Sequence, residues 1–288
     1  MKHLKSIIAV LVFTLTFSFS QAQKKIKLEN SVLWKIEHSE LKEPSYVLGT
    51  LHVMCKDDFE ISKKITQTLQ NVDALVLEIN LSDPKEIKAM QELMKNPKKI
   101  SQELSEQQFE ELDTLVTNVM GVPLSNFDSY GLSILNTIMI QKMLPCKEIK
   151  SLEMELMTLA TEKQKSIYSL EKVAEQMEIM RTAYPADFAL KQILLFESYK
   201  KDFGEAIIAY NNEDITTAVD LVSKDIYMDE NATTIMQINR NKNWVEKMPE
   251  MMTERSNLFA VGAAHLTHDY GIIHLLRQKG YTVTPVFN

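Results

Sequence analysis

The sequence predicts an α/β protein, a mixed central sheet with a large helical insertion, and three observations carry that prediction. Short apolar runs recur near both ends of the chain, and most are short and apolar enough to be buried strands of such a sheet. The stretches between them are rich in Met, Leu, Glu, Lys and Gln, good helix formers, while glycine and proline number only seven and eight in 288 residues. From residue 171 to residue 252 apolar positions recur at helical spacing almost without a strand signal.

Composition narrows the class further. A hydrophobic content of 45% is enough for a sizeable core and argues against disorder. The formal net charge of −7 comes from scattered acids, and no basic stripe suggests nucleic acid. The sixteen methionines form no tract and read as core fillers.

Residues 1–22 read as a secretory signal peptide. A basic start (Lys2, Lys5) precedes an apolar run from residue 7 to about residue 19, and Ser20-Gln21-Ala22 fits cleavage after Ala22. A permanent anchor is the alternative, but the run is short for a span and carries Thr and Ser in its second half. The mature chain, residues 23–288, is then expected as one domain, periplasmic or secreted, with no membrane anchor after cleavage. Export allows Cys55 and Cys146 to form a disulfide. Two free thiols, or Cys55 as a nucleophile near His52, are the other readings.

Strands are expected at 45–48, 74–79, 167–170, 258–261 and 282–287, with 31–36 as an edge partner of the first. Helices are expected at 60–70, 85–94, 106–119, 131–143 and 153–163. The block 171–252, broken at Pro185, Gly204 and "YNNED" at 210–214, reads as several helices inserted into the sheet framework.

Two of the strands end alike. "YVLGTLHV" runs into Gly49 and then His52, and "LFAVGAAHL" runs into Gly262 and then His265. Ligands of open α/β sheets collect at the carboxyl ends of strands, where glycine lets the backbone turn or approach closely. If both strands lie parallel in one sheet, the two imidazoles emerge on one edge and suit a divalent transition metal. A local hydrogen bond for each histidine is the plainer reading. "DALVLEIN" ends an apolar run on Glu78, a carboxylate that must be paired, metal-bound or exposed at the strand tip. Glu171 in "SIYSLEKVAEQ" repeats the arrangement, although an acid in the first turn of a helix is favoured by the macrodipole alone. His268 reads as a solvated residue at a helix start, and His274 as a helical packing residue.

Taken together, "LWKI", "SYVLGTLHV", "VDALVLEIN", "SLEKVAEQ", "RNKNW" and "FAVGAAHLTHDYGIIHLLRQKGYTV" resemble the TraB/GumN family, related to the Tiki-type metalloproteases. The resemblance covers essentially the whole mature chain. It implies that the two Gly-x-x-His motifs fall on Gly49/His52 and Gly262/His265, the strand-end glutamate on Glu78, and the Leu-Glu element on Leu170-Glu171. It implies an Arg-Asn pair at Arg240-Asn241, where a planar cation could hold a carboxylate or an oxyanion. From its own sequence Arg240 reads as a solvated helix residue. An acidic position falls on Glu153 and ranks below the others. The chain departs from similar sequences at Thr267-His268-Asp269, where a glycine-containing turn is usual.

The expected function is therefore that of an exported metal-dependent hydrolase for a peptide or small acyl substrate. His52, Glu78 and His265 would hold a divalent ion (Mn, Co or Zn), with Glu78 or Glu171 as base and Arg240 stabilising charge. The competing expectation is a non-catalytic protein binding a metal, a haem-like ligand or a peptide.

Overall fold

The computed structural model describes residues 28–288, so the expected signal peptide lies outside the described residues. Among them, no helix is long and apolar enough to cross a membrane. The strands are β1 (Leu33–Glu37), β2 (Ser45–Thr50), β3 (Met54–Cys55), β4 (Ala74–Leu77), β5 (Ile149–Lys150), β6 (Ser166–Ser169), β7 (Asn257–Gly262) and β8 (Thr282–Pro285). Six of them form one mixed sheet in the order β6-β4-β7-β2-β1-β8. β6, β4, β7 and β2 run parallel, while β1 is antiparallel to both β2 and β8. Every residue of β4 and β7 is buried, as strands with both faces covered must be.

Two strand expectations need correction. β1 is not an edge strand, because β8 returns from the C-terminus to pair along its free side. The strand expected at 282–287 stops at Pro285: Val286 still donates to the Leu33 carbonyl, but the Leu33 N–H turns to Ser31 Oγ and the ladder ends there.

Helix starts follow local chemistry. Asp83 caps the helix Pro84–Leu93, with proline at the first helical position, where its missing N–H costs nothing. Ser105 and Gln108 form a reciprocal capping box on Glu106–Met120, and Gly121 ends that helix in the left-handed conformation. Residues 171–252 fold into successive helices from Val173–Ala183 to Asn239–Glu254.

Two apolar cores result. One surrounds the sheet and includes Trp34, Leu48, Leu75, Phe259 and Trp244. The other is helical, joining Leu112, Leu135 and Met139 to Leu190, Phe196 and Phe203. The helical layer is thus assembled from two chain segments, one of them ahead of β5.

Cys55 and Cys146 are bridged. The bridge lies beside a two-residue ladder in which β3 pairs with β5, Met54 opposite Lys150 and Cys55 opposite Ile149. Together they fasten the loop after β2 to the turn that leads into the helix Leu152–Glu162. A loop of 91 residues is closed, which in the chain-entropy model stabilises by about 4 kcal/mol. Replacing both cysteines by alanine should lower the unfolding free energy read from urea denaturation by about that amount; an unchanged value would mean that the bridge does not restrict the unfolded chain.

Candidate functional site

The paired Gly-x-x-His motifs are neighbours. β2 and β7 lie side by side and parallel, Gly49 opposite Val261 and Thr50 opposite Gly262, so His52 and His265 leave the same edge of the sheet. Crowding favours glycine at both turns. A Cβ on Gly49 would meet the Ala263 backbone and the Leu266 side chain at 3.2 Å. On Gly262 it would meet His52 Nε2 at 3.2 Å and Glu78 Oε1 at 3.4 Å. The motif glycines therefore let the two loops pack against each other and leave room for the histidine and glutamate beside them.

Glu78 and Glu171 follow β4 and β6 at adjacent strand ends, where the Glu171 N–H donates to the Glu78 carbonyl at 2.9 Å. Glu78 Oε1 accepts from the Gly262 N–H at 2.8 Å, and Oε2 accepts from Arg240 at 2.6 Å and from Gln176 at 3.0 Å. Glu171 is buried. It accepts from Arg240 Nε at 3.0 Å, Arg240 Nη2 at 2.9 Å and the Trp244 indole at 2.9 Å. The first-turn reading of Glu171 fails, since it precedes its helix and is held by an internal cation.

Arg240 is not on a solvated face. It is 3% exposed, and its guanidinium reaches both glutamates, the Met236 carbonyl and His265. All five of its N–H donors are engaged. A turn of π-helix, Thr234–Ile238, immediately precedes it and aims the Met236 carbonyl at it. Three residues of "RNKNW" thus build one wall: Arg240, Asn241, and Trp244, whose ring lies 4.4 Å from the His265 ring and 4.6 Å from the guanidinium carbon.

The protonation of His265 follows from its partners. Asn241 Nδ2 donates to the Tyr270 carbonyl, which turns Oδ1 toward His265 Nδ1 at 2.6 Å. Nδ1 therefore carries the proton, and Nε2 accepts from Arg240 Nη1 at 3.1 Å. Burial, aided by the adjacent guanidinium, pushes His265 down to about 3, so the imidazole is neutral. Burial works against charge on Glu78 too, but the Arg240 guanidinium, with His52 and the Gly262 N–H, more than offsets it and holds the carboxyl down to about 2.

His52 has the opposite character. Its side chain is 66% exposed at the crevice mouth, with Nδ1 2.6 Å from Glu153 Oε1. Desolvation by the surrounding walls opposes the charge, yet the Glu153 carboxylate raises the imidazole to about 9. Glu153 is itself held down to about 2 against burial by His52 and by a hydrogen bond from Thr50. Ser151 donates to its other oxygen at 2.9 Å. His52 Nε2 makes no hydrogen bond to any described residue and faces Gly262.

Sequence reasoning ranked Glu153 low and gave Thr50 and Gln176 no part. An acid in the first turn of a helix reads as dipole complementation, and nothing local reveals a partner 101 residues away. His268 is not at a helix start: it sits in the turn before Ile272–Gln278 with φ at 67°, the left-handed conformation that favours glycine. Its imidazole lies 3.8 Å from Asp220 and packs on Tyr270. His274 lies within that last helix, beside Gln278.

The metal expectation meets a specific obstacle. Donor atoms bonded to one ion at about 2.1 Å each lie within about 4.2 Å of one another. His265 Nε2 and Glu78 Oε1, 3.8 Å apart, meet that condition. His52 offers a bare Nε2 backed by a carboxylate on Nδ1, the arrangement that orients metal-bound histidines. Among the described residues, however, no group of three or more His, Cys, Asp or Glu is arranged to hold an ion as it stands. Arg240 stands among these donors, and its guanidinium already takes the His265 lone pair and one Glu78 oxygen. Two imidazole nitrogens and a carboxylate are the donor types a divalent ion would take, and the guanidinium holds two of these groups in this structure.

The model of the TraB/PrgY/gumN family matches residues 32–285. The chain belongs to this family. The matched span runs from the start of β1 to the end of β8 and includes every residue of the crevice. No curated protein and no solved structure matches the chain. Family membership therefore defines the fold unit, and the chemistry rests on the crevice.

Proposed function

We propose that this TraB/PrgY/gumN family protein is an exported metal-dependent hydrolase acting on a peptide or other acyl bond. The observation that carries the reading is that His52 Nε2 and Glu78 Oε1 border the same space beside Gly262, with His265 Nε2 3.8 Å from that oxygen. Export is supported by the basic-then-apolar N-terminus and by the disulfide.

His52, Glu78 and His265 would hold the ion (Mn, Co or Zn), which supplies Lewis acidity toward a substrate carbonyl. The chain's own residues do the rest. Glu153 orients the His52 ring by its Nδ1 proton, and His52 must shed its Nε2 proton to ligate. Asn241 fixes the His265 tautomer so that Nε2 presents a lone pair. Glu78 Oε1, which accepts only the Gly262 amide, would complete the coordination. Glu171, whose oxygens are held by Arg240 and Trp244, fixes the guanidinium and does not act as a base.

The test adds Mn²⁺, Co²⁺ or Zn²⁺ to the protein and reads cleavage of a peptide library by mass spectrometry. Cleavage abolished by a chelator supports the hydrolase. Peptide or metal retained stoichiometrically without turnover replaces it by the binding-protein reading.

A further inference from the structure

We infer that Arg240 is the resident cation of the crevice and that it and a divalent ion are alternative occupants of one site. The inference rests on the metal reading above and goes beyond it by stating what an ion must displace. Arg240 Nη1 donates to His265 Nε2 at 3.1 Å and Nη2 donates to Glu78 Oε2 at 2.6 Å. His265 Nε2 has a single lone pair, so it can accept from the guanidinium or bind an ion, never both. Glu78 could in principle share its oxygens, but a dication there would sit beside an unscreened positive charge in a buried setting.

The surroundings supply a way out for the guanidinium. Its Nε and Nη2 are fixed to Glu171, and Nη1 also holds the Met236 carbonyl on the π-helical turn. Swinging about the Glu171 contact releases His265 and Glu78 while leaving the cation with a carboxylate partner. Glu171 is then a second seat for Arg240. This assigns the Arg-Asn pair a different task from the expected one. While it holds His265 and Glu78 all five of its donors are spent on protein groups, so Arg240 has none for a substrate oxyanion until an ion displaces it.

The consequence is a tuned metal affinity. Taking the guanidinium away removes a competitor for His265 Nε2 and a nearby repulsive charge, and leaves the negative charges of Glu78 and Glu171 unopposed. Arg240→Gln should bind Zn²⁺, Mn²⁺ or Co²⁺ at least tenfold more tightly than wild type in calorimetric titrations of the whole chain. Arg240→Lys, which keeps the charge, should gain much less. Since Arg240→Gln could impair folding, a second measurement uses the wild type alone. Zinc titrated into ¹⁵N-arginine-labelled protein should shift the Arg240 side-chain signals in step with saturation. Ion binding of equal or lower affinity in Arg240→Gln, or Arg240 signals unmoved at zinc saturation, would overturn the inference and leave the metal reading standing. No ion binding by either protein would overturn both.

Discussion

Glu171→Ala should unfold at a much lower urea concentration than the wild type, with a loss of about 3–5 kcal/mol. The carboxylate is buried and is one of the two counter-charges of a guanidinium that is itself 3% exposed. Its removal leaves Arg240 Nε and the Trp244 indole without acceptors, and a buried charge without half of its compensation. Such a loss is a large share of the roughly 5–15 kcal/mol that holds a typical domain together. Glu171→Gln should recover part of it, because an amide oxygen still accepts from one donor while the charge stays uncompensated. The comparison is Glu178→Ala, which breaks an exposed pair with Arg181 and should leave the midpoint where it is. An unchanged midpoint in Glu171→Ala would mean that Arg240 finds enough compensation in Glu78 and that the two glutamates are redundant.

That cluster also marks where sequence reading succeeds and stops. Gly49 and Gly262 were legible because a glycine closing an apolar strand is a backbone requirement, visible in five or six residues. Glu78 was legible because an apolar run that ends on a carboxylate poses a charge problem that the fold must solve. The solution was not legible. Arg240 sits in a helix whose neighbours Lys242, Lys247 and Glu250 look solvated, and its burial is caused by carboxylates from two distant strands. The same limit applies to the helical core. Spacing gives a helix an apolar face, but nothing in Glu106–Met120 names Ala186–Leu194 as a partner. β3 and β5, two residues each, are too short for any periodicity, although their ladder sets the His52 loop against the segment that carries Glu153.

His52→Ala and His265→Ala should each abolish nearly all hydrolysis, about 10³-fold or more, and the double substitution should be at most a few-fold worse than either. Groups that act as one unit are non-additive, because the first removal has already taken away what the second would cost. The geometry gives that unit its members. Thr50 pairs with Gly262 across adjacent parallel strands, His52 Nε2 lies 3.2 Å from the space a Gly262 Cβ would fill, and Glu78 Oε1 borders the same space. Glu78→Gln, which keeps shape and removes charge, should match the histidine variants in lost activity. Fold loss is the competing explanation, and the two histidines differ in exposure enough to expose it. His52, largely solvent-facing, can be truncated with little cost to the melt, whereas removing the buried His265 ring leaves Asn241 Oδ1 without a donor and Arg240 Nη1 with the Met236 carbonyl alone. Equal losses of activity with unequal losses of stability would therefore separate chemistry from folding. Effects of the two single substitutions that multiply in the double variant would place each histidine in a separate role, and would reduce the paired motifs to turn chemistry at neighbouring strand ends.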